Sequence, residues 1–218
     1  MDLLDESVVP EHAREVKQEA REFADEYIRP NAEEYFRSAE YPWEILEAAM
    51  DAGLVAQDIG EEYGGRGLDL EQILAINEEF YAADAGIALT LMLASFGCEI
   101  VEKYGSEEQK DEYLRPVAAN EQISGLAVSE PQTGSDMAGM TTTAERTDDG
   151  WVLNGEKYWV GNAVEADWLT VYAKTDDSDD RYSDYSMFIV ETDTPGYEAE
   201  HIPEKMGMRA SKQGHIVF

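Results

Sequence analysis

Cysteine is almost missing from this sequence: Cys98 is the only one. No internal disulfide can form, and the usage predicts a reducing compartment. Long apolar runs are also missing. The longest near-apolar stretch, Gly86 to Cys98, covers 13 residues, too short for a helix to cross a bilayer. The start, Met1-Asp2-Leu3-Leu4-Asp5-Glu6, lacks the basic residues and apolar block of a secretory signal. Histidine is scarce as well. His12, His201 and His215 show no metal-ligand spacing with one another or with Cys98, so no metal site is expected. Basic residues are the largest deficit: 16 Lys plus Arg face 48 Asp plus Glu, a net charge of −32. That balance argues against nucleic-acid binding, which needs a basic surface.

The acids run along the whole chain and do not collect in a tail, which marks a surface property and not an interaction segment. Such a surface repels itself at low ionic strength. The Debye length falls from ~10 Å at 0.1 M salt to ~3 Å at 1 M, so the composition predicts a halophile's cytoplasm. Hydrophobic residues still make up 43%, enough for a folded core.

Residues 1–121 read as helical and 122–218 as β. Ala13, Val16, Ala20, Phe23, Ala24, Tyr27 and Ile28 fall on one helical face, and Arg29-Pro30 predicts a break. A second helix is expected from about Pro42 to a cap at Gly53. Gly64-Gly65-Arg66-Gly67 lacks the Gly-Lys-Ser/Thr ending of a phosphate loop and reads as a tight turn between helices. Leu70, Ile73, Leu74, Ile76 and Phe80 mark a third helix. Residues 86–104 read as one buried helix, and Ser106 with Gln109 as a capping box opening the next.

Beyond 120 the period shortens. Asn154-Gly155 predicts a hairpin joining two strands within 151–159. Strands are also expected over 167–174 and 185–191. Met187-Phe188-Ile189-Val190 reads as covered on both faces, and Thr194-Pro195-Gly196 as a turn. The acidic stretch 175–183 reads as a solvated loop. The apolar ending Gly214 to Phe218 reads as a strand awaiting a continuation. The fold class is therefore α+β.

Leu126-Ala127-Val128-Ser129-Glu130-Pro131-Gln132-Thr133-Gly134-Ser135-Asp136 is a strand entering a Pro/Gly turn flanked by hydroxyls. Such a segment can be an ordinary turn or an anion or cofactor cradle. Residues 129–136 resemble the Thr-Glu-Pro-x-Ala-Gly-Ser-Asp signature of acyl-CoA dehydrogenases. Four further stretches resemble that family in the right order: Glu62 to Gly67 with Asp69, Asn154 to Val160, Ala166-Asp167, and Lys205 to Ser211.

The resemblance implies an N-terminal helical bundle followed by an antiparallel β-barrel-like domain, without the family's C-terminal helical domain. It implies FAD as cofactor, with contacts from Leu126, Val128, Ser129, Gly134, Ser135, Trp159, Val160 and Gly161. Trp159 would cover the flavin ring, and Ser135 would also approach the acyl-CoA. The implied reaction is α,β-dehydrogenation of an acyl-CoA thioester to a trans-2-enoyl-CoA. An electron-transfer flavoprotein would be the electron acceptor, and the full-length enzyme a homo-oligomer. The family's glutamate base lies in the third domain, so no catalytic residue is assigned here, and the chain alone is expected to be inactive. The alternatives are an acyl-CoA oxidase or flavin monooxygenase of the same fold, or a non-catalytic gene remnant. Three departures stand out. Ser129 replaces Thr, Gln132-Thr133 replaces a commoner Gly/Asn-Ala pair, and Gly161 replaces a hydroxyl residue. The last would remove a hydrogen bond worth about 0.5–1.5 kcal/mol. Arg209 and Ser211 are expected to stabilise the β domain or its contact with the family's third domain.

Overall fold

A computed structural model describes residues 8–176, 178 and 183–218. Most of the acidic 175–183 loop lies outside the described residues. The chain forms two compact units. One runs through Gln122 and also contains Glu204–Ser211; the other contains Ile123–Pro203 and Lys212–Phe218.

The first unit is helical. Helix α1 (Arg14–Phe23) continues into one wide π-helical turn, Ala24–Ile28, closed by Arg29 N–H donating to the Ala24 carbonyl at 2.9 Å. That extra residue shifts the face: Ile28 is buried while Tyr27 swings outward and stacks on Phe23. The chain breaks at Pro30 as the sequence predicts, and α2 (Ala32–Ser38) follows. Helix α3 (Trp43–Asp51) ends where Gly53 takes φ +66°, a conformation cheap only for glycine. Helix α4 (Leu70–Ala83) opens with a capping box between Asp69 and Gln72. It packs Ala75, Ile76 and Phe80 against α1, with the rings of Phe23 and Phe80 5.6 Å apart. Leu70 and Leu74 stay exposed, because the packed stripe runs through 75, 76, 79 and 80.

The single helix expected over 86–104 is two: α5 (Ala85–Leu93) and α6 (Cys98–Tyr104). Gly97 at φ +101° separates them, and apolar periodicity carries no mark of such a corner. Helix α7 (Glu107–Ala118) begins with the expected Ser106–Gln109 capping box. Arg209 departs from its expectation. Its guanidinium donates to the Phe36 carbonyl at 2.8 Å and lies over the Phe36 ring, within the helical unit.

The second unit holds β1 (Ser124–Ala127), β2 (Thr143–Thr147), β3 (Gly150–Asn154), β4 (Glu156–Gly161), β5 (Trp168–Lys174), β6 (Tyr185–Glu191), β7 (Glu198–His201) and β8 (Gln213–Val217). One sheet runs β1-β5-β2-β3, with β6 also on β5; the other runs β4-β8-β7. Most pairs are antiparallel, but β1 and β2 pair parallel to β5.

Two expectations are corrected. The strands flanking Asn154-Gly155 exist but do not form a hairpin: β3 pairs with β2, and β4 pairs with β8 in the other sheet. Gly155, at φ +147°, turns the corner against Thr142, whose Oγ1 a Cβ would meet at 2.6 Å. The doubly covered strand is β5, not β6. Trp168, Leu169, Val171 and Ala173 of β5 are buried, whereas Met187 is exposed and Phe188, Ile189 and Val190 are only half-buried. Strand β5 has neighbours on both sides, while β6 takes an edge. Leu169 and Val171 pack with Ala127, Val160, Ala163, Ala166 and Ile216 into the unit's core. Each larger apolar side chain there contributes about 1.5–3 kcal/mol.

Candidate functional site

Strand β1 delivers the signature segment. Its Gly125 is required by close approach: a Cβ there would lie 2.8 Å from the Gly161 carbonyl and 2.5 Å from Leu169. This sets Leu126 beside the end of β4. Past Ala127 the chain leaves the sheet, and Tyr158 N–H donates to the Ser129 carbonyl at 2.8 Å. Glu130 and Thr133 then exchange backbone hydrogen bonds of 2.8 and 3.1 Å around Pro131-Gln132. That tight turn returns Gly134 to Ser129, whose Oγ would lie 3.8 Å from a Cβ at 134. Gly134 and Ser135 are exposed, and Leu126, Val128 and Ser129 are half-buried.

Strand β4 carries the other residues on a β-bulge. Lys157 pairs with Ile216 and Val160 with Gly214, so Tyr158 and Trp159 together oppose His215. Such a bulge re-aims side chains. Trp159 adopts φ +63° and is 57% exposed. A left-handed tryptophan costs about 1–3 kcal/mol, and such strain concentrates at functional sites. Val160 lies in the core, so its backbone is the part left to face a ligand. Gly161 is half-buried, next to Asn162, whose amide donates to the Ser124 carbonyl at 3.3 Å.

Beneath this surface is a polar core that sequence reading missed. Glu130 and Lys157 form an ion pair of 3.0 Å with both side chains fully buried. Lys157 Nζ also donates to the Val128 carbonyl at 3.0 Å and touches Met140 Sδ at 3.4 Å. The Glu130 carboxylate accepts from the Thr141 amide at 2.7 Å, the Thr142 amide at 2.9 Å, the Thr141 hydroxyl at 2.9 Å and the Gln132 amide at 2.6 Å. Burial acts to raise the Glu130 pKa. The hydrogen bonds from Thr142, Thr141 and Lys157 outweigh it and hold the carboxyl at about 2, below its ordinary 4.5. Burial pulls the Lys157 pKa down, and the Glu130 carboxylate opposes that pull.

A lowered folded pKa stabilises the fold above the ordinary glutamate range. That contribution is withdrawn as pH falls toward about 2. In a carboxyl-carbon NMR titration Glu130 should therefore stay ionised well after the exposed glutamates protonate. Titration together with the exposed glutamates would contradict the geometry.

The histidines take no part in this cluster. Each faces a carboxylate elsewhere: His12 Nε2 to Asp69 at 2.9 Å, His201 Nε2 to Glu165 at 2.6 Å and His215 Nε2 to Glu156 at 2.8 Å. No helix among the described residues is long and apolar enough to cross a membrane.

The chemistry of the donor set suits a flat, polar-edged ring attached to a phosphate chain. An exposed indole stands beside a segment bearing the Ser129 and Ser135 hydroxyls. The Ser129, Gly134 and Ser135 backbone N–H groups have no acceptor among the described residues. Free N–H groups at a glycine turn are a recurrent anion cradle.

Comparison with known proteins agrees. The family profile described as acyl-CoA dehydrogenase, N-terminal domain, matches residues 10–121, and that for the middle domain matches residues 125–218. The mouse (Mus musculus) mitochondrial short-chain specific acyl-CoA dehydrogenase is 34% identical over 212 residues, covering 96% of this chain and 51% of that protein. A crystal structure of a glutaryl-CoA dehydrogenase from Mycobacterium smegmatis in complex with FADH2 superposes with a TM-score of 0.88 at 34% identity, over 97% of this chain and 53% of that one. The butyryl-CoA dehydrogenase of Megasphaera elsdenii superposes with a TM-score of 0.88 at 28% identity, over 100% of this chain and 57% of that one. The chain spans about half the length of the curated relatives it matches. With both profiles together covering nearly every residue, the chain belongs to the acyl-CoA dehydrogenase family.

Proposed function

We propose that this polypeptide provides the flavin-binding face of an FAD-dependent acyl-CoA dehydrogenase working in a high-salt cytoplasm. The observation that carries the reading is the meeting of Ser129, Gly134 and the outward-turned Trp159 across the β1–β4 junction. Bound FAD would supply the acceptor for the hydride that leaves the β-carbon of the acyl chain. The α-proton goes to a glutamate base that no residue of these 218 is assigned to provide.

The roles of this chain's own residues come from their placement. The Ser129 hydroxyl and N–H would bond the polar edge of the ring, with the backbone at Leu126 and Val128 alongside. Trp159 would shield one face from water, which strengthens those bonds. Gly134 and Ser135 would hold the phosphates, with Ser135 also reaching the acyl-CoA. The Val160 and Gly161 backbone would close the far edge. An electron-transfer flavoprotein would accept the electrons, and the full-length enzyme would be a homo-oligomer.

The test is titration of the chain with FAD in about 1 M KCl, where the Debye length is ~3 Å, following tryptophan fluorescence and the visible flavin spectrum. Trp159 should be quenched, with a resolved, shifted flavin band at saturation. The quenched component should be missing in W159F. An unaltered flavin spectrum up to millimolar FAD would overturn the reading.

A further inference from the structure

Lys157 is the one fully buried lysine among the described residues, and nothing in its surroundings requires a charge for packing. Removing two charges from water costs more than a surface pair returns. Two well-packed apolar residues would fill the same space, so the pair's use is better sought in what it holds. Lys157 Nζ reaches two things besides Glu130: Met140 Sδ at 3.4 Å and the Val128 carbonyl at 3.0 Å. That carbonyl belongs to the same peptide unit as the Ser129 N–H. The peptide is planar, so an ammonium on its oxygen fixes the direction of the N–H at the opposite edge. It also draws electron density toward the oxygen and makes the N–H a stronger donor.

The next peptide is fixed independently, by Tyr158 N–H on the Ser129 carbonyl at 2.8 Å. Glu130 then anchors the lysine, and its four other donors tie it to Gln132, Thr141 and Thr142. The Ser129 N–H itself has no acceptor among the described residues. An N–H with both neighbouring carbonyls pinned and no partner is set up to donate to something outside the chain.

We propose that Lys157, held by Glu130, is a positioning residue that aims and strengthens the Ser129 N–H as a hydrogen-bond donor to the flavin ring. This rests on the flavin reading above. Lys157 would touch no part of the cofactor and act only through the Val128–Ser129 peptide. Because Glu130 stays ionised throughout the neutral range, the device is always engaged and is not a pH switch.

The experiment uses the whole chain in about 1 M KCl with FAD as the probe. The double change E130Q/K157M removes both charges together and keeps the volumes close, so it leaves no unpaired buried charge. Expected is a folded protein with FAD affinity at least about tenfold weaker and a displaced visible flavin band. Wild-type affinity and an unmoved band in a folded double variant would overturn the proposal while leaving the flavin reading intact. A wild-type chain that binds no FAD would overturn both. Should the double variant fail to fold, amide NMR of the wild-type chain decides. On FAD saturation the Ser129 N–H should move downfield and gain protection from exchange. A Ser129 amide that does not respond to bound FAD overturns the proposal without any variant.

Discussion

Alanine at position 65 should unfold the helical unit under conditions where the parent chain holds. A Cβ on Gly65 would sit 2.0 Å from the Ile59 carbonyl oxygen, 2.6 Å from its carbon and 2.8 Å from the Ile59 Cβ. None of these is the end of a flexible side chain. Ile59 is buried, and its carbonyl accepts from the Gly67 N–H at 2.9 Å. The Gly65 N–H itself bonds the Gly60 carbonyl at 3.2 Å. Relief therefore means breaking the loop's own hydrogen bonds or lifting Ile59 out of the core. Either route costs about 3–5 kcal/mol. Thermal melting followed by helical circular dichroism should show the loss for G65A. It should show almost none for G207A, where a Cβ meets nothing within 4 Å. A G65A protein melting with its parent would show the loop to be slack.

Salt should have a comparable effect through an unrelated cause. A net charge of −32 over 218 residues places like charges within a Debye length of one another at low ionic strength. Compaction brings them closer, so the folded state is the one that suffers. Raising KCl from about 0.1 M to about 1 M shortens the screening length roughly threefold. The melting temperature should rise by on the order of 10 °C. Equal ionic strength from a different monovalent salt should produce nearly the same rise. A melting temperature flat across that range would mean that the acids are locally compensated.

What could be read without coordinates was whatever neighbouring residues decide among themselves. The break at Pro30, the left-handed cap at Gly53 and the Ser106–Gln109 box depend on a few consecutive residues, and all are present. Asn154-Gly155 is equally local as a signal. Pairing, however, is chosen by distant partners: β8 claimed β4, and β2 claimed β3. Burial of β5 over β6 has the same origin, since either apolar run could have been central.

At the candidate site, the segment 126–135 was legible through its resemblance, and the structure brings Ser129 and Gly134 together. Lys157 was not legible. Strict alternation along a strand puts 157 and 159 on one face, whereas the bulge sends Lys157 inward and Trp159 out to solvent. A lysine inside a strand reads as a solvated position unless that irregularity is known.

The allegiance of Glu204–Ser211 to the helical unit has a practical consequence. The polypeptide passes from one unit to the other three times, after Gln122, after Pro203 and after Ser211. A single proteolytic nick after Gln122 therefore yields a second fragment that still carries a piece of the helical unit. A chimera that transplants the helical half from a relative must bring the donor's counterpart of these eight residues. Otherwise Gly86 and Phe36 face a foreign strap, and the graft fails at a place far along the gene from the exchanged helices.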